Sequence, residues 1–118
     1  MDEVLPRVER TVRLRTTCPV LWRHLVSGDL ASLWMGGLMT IEPKLNGRVS
    51  LLREGAPEIF GTVEGIMPGE LITWTWRTRD GEPTQVTLAL EDGPEGTVLT
   101  VTEQMLPYEI VHIPTRLG

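Results

Sequence analysis

In 118 residues the chain has one cysteine, Cys18, and two histidines, His24 and His112. A lone cysteine excludes an internal disulfide and any cysteine-based zinc site, and it fits a reducing cytoplasm. The two histidines form no ligand-spaced cluster. His24 falls on a helical stretch one turn before Gly28, where a surface or helix-end position accounts for it, and His112 lies in an apolar tail. There is no phosphate-binding glycine loop, no nucleophile elbow and no HExxH, so no motif asks for a cofactor or a metal and no catalytic residue is assigned. There is also no signal-peptide pattern and no apolar run long enough to span a bilayer, which excludes a membrane partner. Positive charge is in deficit: 11 Lys and Arg against 16 Asp and Glu give −5 and leave no basic face for nucleic acid. Arg7, Arg10, Arg13 and Arg15 do cluster near the N-terminus, but they alternate with apolar residues and read as a solvated strand face rather than a phosphate site.

With 41% hydrophobic and 23% charged residues, the composition is that of an ordinary globular protein. The length suits one domain that buries a core without staples, which we take as 1–118 with a loose lead-in at 1–6 and a tail at 105–118. The organising stretch is Gly61 to Arg77, where two strand-like runs flank the turn formers Met67-Pro68-Gly69-Glu70. A period of two in the second run puts Ile72, Trp74 and Trp76 on one face and Leu71, Thr73, Thr75 and Arg77 on the other. Two indoles on one face make an apolar surface that a core, a ligand or a partner must cover.

Read in order, Val8, Val12 and Leu14 alternate with Glu9, Thr11, Arg13 and Arg15 as a half-buried strand, with Arg10 the exception on the inner side. Thr17 or Cys18 then caps a helix with Pro19 in its first turn and a stripe of Leu21, Trp22, Leu25 and Val26. Ser27-Gly28-Asp29 breaks it, and Asp29 caps a second short helix to Trp34, stopped by Gly36-Gly37. From there every segment reads as strand and turn: Leu38 to Glu42, Arg48 to Glu54 after the Asn46-Gly47 hairpin signal, Ile59 to Met67, Leu71 to Thr78, Gln85 to Leu90, and Thr97 to Gln104 after the turn Asp92 to Gly96. The expected fold is α+β: a curved antiparallel sheet of about six to seven strands, with two short helices after the first.

Four segments in this order resemble the START/Bet v 1-like (SRPBCC) superfamily, and in particular the branch of activators of the heat-shock-90 ATPase. Cys18-Pro19-Val20-Leu21-Trp22 with Leu25 is similar to the family's opening helix, and Leu30 through Trp34 to its second. Gly61-Thr62-Val63, Ile66, Pro68 and Ile72-Thr73-Trp74-Thr75-Trp76 resemble its hairpin, and Gly96-Thr97-Val98-Leu99-Thr100 its last strand. The resemblance covers about Val8 to Glu103 and implies a helix-grip sheet around a C-terminal helix with an apolar cavity between them. That helix is short or absent here. Unless the tail from Leu106 to Leu117 folds back, the concave face is expected to lie open, with Phe60, Trp74, Trp76, Val86 and Leu88 exposed and covered by a second copy or a protein partner.

On this reading the cavity wall is Trp34, Met39, Phe60, Trp74, Trp76 and Leu88, with Arg77 and Glu103 as polar orienting groups. Trp74 and Trp76 serve equally well as plain core, and Glu103 as a solvated strand end. Glu64 joins Arg77 and Glu103 as a carboxylate or cation that a strand can aim into or beside the cavity. The implied function is binding of a small hydrophobic molecule. One alternative is a protein-interaction or chaperone-regulating module of the stress response that uses the open sheet face. A second is a cyclase- or hydrolase-like enzyme on the same fold.

Overall fold

The structure, a computed structural model, describes residues 7–28, 32 and 36–106. Among these, the strands are β1 (Arg7–Leu14), β2 (Leu38–Ile41), β3 (Arg48–Leu52), β4 (Ile59–Met67), β5 (Leu71–Arg77), β6 (Thr84–Gly93) and β7 (Gly96–Met105), with helix α1 (Cys18–Val26) between β1 and β2. They form one curled antiparallel sheet in the order β1-β7-β6-β5-β4-β3-β2. Strands β2 to β7 are a meander, and β1 adds to it by pairing along its whole length with the last strand. The α+β class and the strand count agree with the sequence reading. The second helix expected to Trp34 and the tail from residue 107 lie outside the described residues, apart from Ser32.

Helix α1 starts where its chemistry allows. Thr17 is extended at φ −85°, ψ 157°, its hydroxyl accepts from the Val20 N–H at 3.4 Å, and Pro19 occupies the first turn, where no N–H is missed. The stripe expected on this helix is the one that packs: Leu21 and Leu25 are buried against the inner face of the sheet, with Trp22 and Val26 half-buried beside them. A second tie anchors the helix start to the β6–β7 hairpin. The buried Thr97 hydroxyl donates to the Thr16 carbonyl at 2.7 Å, and the Cys18 thiol donates to Asp92 Oδ1 at 3.3 Å.

That hairpin is tighter than its sequence suggests. Gly93 and Gly96 face each other across the ladder, so the strands continue to the last pair and only Pro94 and Glu95 turn. Gly96 has φ 151°, and a Cβ there would overlap the Leu14 carbonyl oxygen of β1. The missing side chain is what lets the end of β1 close onto the hairpin.

The core lies on one face of the sheet. Trp74, Trp76, Val86 and Leu88 are each 4% exposed or less. These four, expected to lie open to water unless the tail folds back, are buried. The inner face is a packed apolar surface shared with α1.

Strand β4 carries a bulge. Val63 faces Trp74 and Gly65 faces Thr73, which leaves Glu64 as an extra residue. The bulge turns Glu64 outward, where its carboxylate accepts from the Thr75 hydroxyl at 2.8 Å, and lets Val63 point inward at 0% exposure. With the Met67–Leu71 pairing kept and no bulge, Glu64 would lie opposite Trp74 in the core, where an unpaired charge is expensive.

Candidate functional site

The inner face is built from cross-strand rows. Ile72 lies between Ile66 and Leu88, Trp74 between Val63 and Val86, and Trp76 between Gly61 and Thr84. The two indoles meet edge to face, with centroids 5.5 Å apart and planes at 73°, the geometry their quadrupoles favour. Glycine at 61 is what admits Trp76. A Cβ there would overlap the Thr75 carbonyl oxygen and stand 2.6 Å from the Trp76 Cα.

Trp74 is fully buried, and its Nε1–H has no hydrogen-bond acceptor. Buried indoles nearly always find one, and an orphaned donor costs about 1–3 kcal/mol. The most central aromatic group of the sheet thus carries an unused polar handle.

Of the residues expected at the cavity wall, Trp74, Trp76, Leu88 and Met39 share this inner face and are buried. Met39 is set in place by its N–H, which donates to the Ser32 hydroxyl at 2.9 Å. Glu103 sits opposite Val86 and Val8, so its register is inward, but it is exposed and accepts from the Thr84 hydroxyl at 3.0 Å. It belongs to the polar rim of the face, together with Thr84 and the exposed Arg10. Sequence reasoning missed Thr84 because Pro83 hides the start of β6; stepping back two residues from Val86 would have found it. Trp34 lies outside the described residues.

Phe60 and Arg77 are elsewhere. They are cross-strand partners on the outer face, in a row running Thr40, Ser50, Phe60, Arg77. For Arg77 the period of two in β5 already requires the face opposite Trp74 and Trp76; for Phe60 the bulge is the reason. Counting back from the Met67–Leu71 pair without a bulge would put Phe60 opposite Thr78, on the tryptophan face; the extra residue at Glu64 moves it to the other side. There Phe60 borders a shallow groove of about 660 Å³ that also includes Glu42, Arg48, Glu58 and Thr62. Leu38 and Leu52, a register pair on the same outer side, are exposed at 63% and 48%.

Among the described residues no three of His, Cys, Asp and Glu are placed to hold a metal ion, and no helix is long and apolar enough to cross a membrane. His24 is exposed on α1, and His112 lies outside the described residues.

This arrangement is found in known proteins. The family model described as activator of Hsp90 ATPase homolog 1-like protein matches residues 15–113. The chain belongs to this family. No curated protein matches it in sequence. Among solved structures, a Mesorhizobium loti protein superposes with a TM-score of 0.76 at 18% identity, over 88% of this chain and 79% of that one. An Hsp90 activator from Plasmodium falciparum gives 0.68 at 24% identity, over 86% and 74%. The Aha1 dimer from Colwellia psychrerythraea gives 0.70 at 12% identity, over 96% and 88%. At these identities the likeness is one of fold, and for this AHSA1-like chain it agrees with the START/Bet v 1-like resemblance read from its motifs.

Proposed function

We propose that this AHSA1-like domain binds a small hydrophobic molecule against the inner face of its sheet, with the Trp74 Nε1–H as the polar anchor. The unpartnered indole N–H carries the reading. A ligand with a carbonyl or ether oxygen would satisfy that donor in a setting where water does not compete, while the indole pair, Met39 and Leu88 supply apolar contact. Glu103, Thr84 and Arg10 form the wet rim through which such a molecule would be oriented. Recovering about 1.4 kcal/mol of the orphaned donor's cost corresponds to a tenfold gain in affinity.

A matched pair of probes tests this: 2-acetylnaphthalene, which has a carbonyl, and 2-ethylnaphthalene, which does not. In a tryptophan-fluorescence titration the ketone is expected to bind about tenfold tighter. Trp74→Phe should abolish the difference while keeping an aromatic ring in the core. Equal affinities in the unmodified protein, or no binding of either probe, would remove the proposal.

A second reading has its own support. Leu38, Leu52 and Phe60 leave apolar surface exposed on the outer face of β2 to β4, and both the family description and the Plasmodium relative name Hsp90 activation. In that reading the outer face, not the inner one, docks on a chaperone or a second copy.

A further inference from the structure

We propose that the chain has a second binding site, for the phosphate group of a small molecule, in the hollow where the end of β1 meets the β6–β7 hairpin. This hollow encloses about 120 Å³ and is lined by Arg13, Leu14, Arg15 and the hairpin residues Gly93 to Val98. A single water needs only about 10–15 Å³ of such space, so the hollow has room for a tetrahedral oxyanion.

Two features shape it. Arg13 faces Val98 on the outer side of the sheet and Arg15 follows just past the end of β1, and both residues line the one concavity. Gly93 and Gly96 oppose each other at the hairpin end and put no side chains there, while Pro94 and Glu95 form the lip.

The electrostatics support an anion. Both arginines are exposed, and among the described residues neither takes part in a hydrogen bond or an ion pair; the salt bridge of β1 joins Arg7 to Glu9 at 3.0 Å. Two forked donors therefore stand unused beside a hollow, in a chain whose net charge is −5. Glu95 is the opposing charge on the lining, and it comes within ion-pair distance of neither guanidinium. One carboxylate against two guanidiniums leaves the site positive. A sequence reading that treats the N-terminal arginines as one solvated face overlooks this, because the hairpin that walls the hollow lies some eighty residues further on.

The site is separate from the proposed apolar one. Arg13 and Val98 point outward, whereas Trp74 and Leu88 point inward.

The experiment is an amide NMR titration with inorganic phosphate and with phenyl phosphate, each at ionic strength held constant with sodium chloride. Saturable shifts are expected at Leu14, Arg15 and Gly93 to Val98. Both arginines are exposed, so Arg13→Ala with Arg15→Ala should leave the fold intact and weaken binding at least tenfold. Glu95→Gln, which removes the opposing charge, should tighten it. Phenyl phosphate binding tenfold tighter than inorganic phosphate identifies a phosphomonoester site, and equal affinities identify inorganic phosphate as the ligand; either upholds the proposal. Shifts that follow ionic strength alone, or a double variant that binds like the unmodified protein, overturn it.

Discussion

Replacing Gly61 by alanine tests the packing that places the tryptophans. The added methyl would overlap the Thr75 carbonyl oxygen and press on the Trp76 Cα at 2.6 Å. Overpacking a core costs about 1–3 kcal/mol when side chains can rotate aside. Here the obstructing atoms belong to the backbone of the neighbouring strand, so β4 and β5 must part along their ladder. Alanine recovers roughly 0.4–1 kcal/mol by restricting the unfolded chain. The top of that range less this gain leaves an expected net loss of about 2 kcal/mol or more.

Two other glycines calibrate the result. At Gly69 nothing lies within 4 Å, and its φ of +82° confines the cost of alanine to backbone strain, about 1–2 kcal/mol. At Gly65 the new methyl would meet only the Thr73 Cγ2 at 3.0 Å, a side-chain adjustment worth about 0.5–1.5 kcal/mol. Urea unfolding followed by tryptophan fluorescence reads all three. With a slope of about 1–3 kcal/mol per molar, Gly61→Ala should lower the midpoint by at least about 0.7 M. If it lowers the midpoint no more than Gly69→Ala does, β4 and β5 are not held as closely at Trp76 as described, and the account of this site fails.

Two of the four aromatic residues expected at the cavity wall should part company in stability measurements. Trp76→Ala is expected to cost about 3–5 kcal/mol, whereas Phe60→Ala, on the outer face and 43% exposed, should stay within about 0.5 kcal/mol of the unmodified protein. That tolerance makes Phe60 useful in testing the docking reading. A protein carrying Leu52→Ser and Phe60→Ser should fold normally and lose any stimulation of ATP hydrolysis by an Hsp90-class chaperone. If stimulation persists, the outer face is not the docking surface.

Much of the architecture was legible because strands announce themselves by a period of two. Ile72, Trp74 and Trp76 share the buried face as their spacing implied, and β4 runs from Ile59 to Met67 as read. Period says which residues of one strand share a face, but not which face of the neighbour they meet. That depends on register, and a single extra residue reverses it. The sign of the bulge is slight, a single Gly65 after Glu64, and counting through it without the extra residue puts Phe60 on the tryptophan face; Arg77 needs no register, because its spacing from Trp76 already sets it on the outer face. The hairpin end at Gly93 and Gly96 was misread for the opposite reason. A cluster rich in turn formers looked like a five-residue turn, yet two of its glycines continue the ladder. The orphaned Trp74 Nε1–H was not legible at all, since the lack of an acceptor depends on everything packed around the ring.

The bulge also bears on how the strand can vary in length. Elsewhere in β4, removing one residue would send every side chain on one side of the cut to the wrong face. Removing Glu64 would not, because Val63 would still meet Trp74 and Gly65 would still meet Thr73 in a regular ladder. This is the one point in β4 where the chain can lose a residue and keep the same interior, with only the Glu64–Thr75 contact exchanged for a straighter strand.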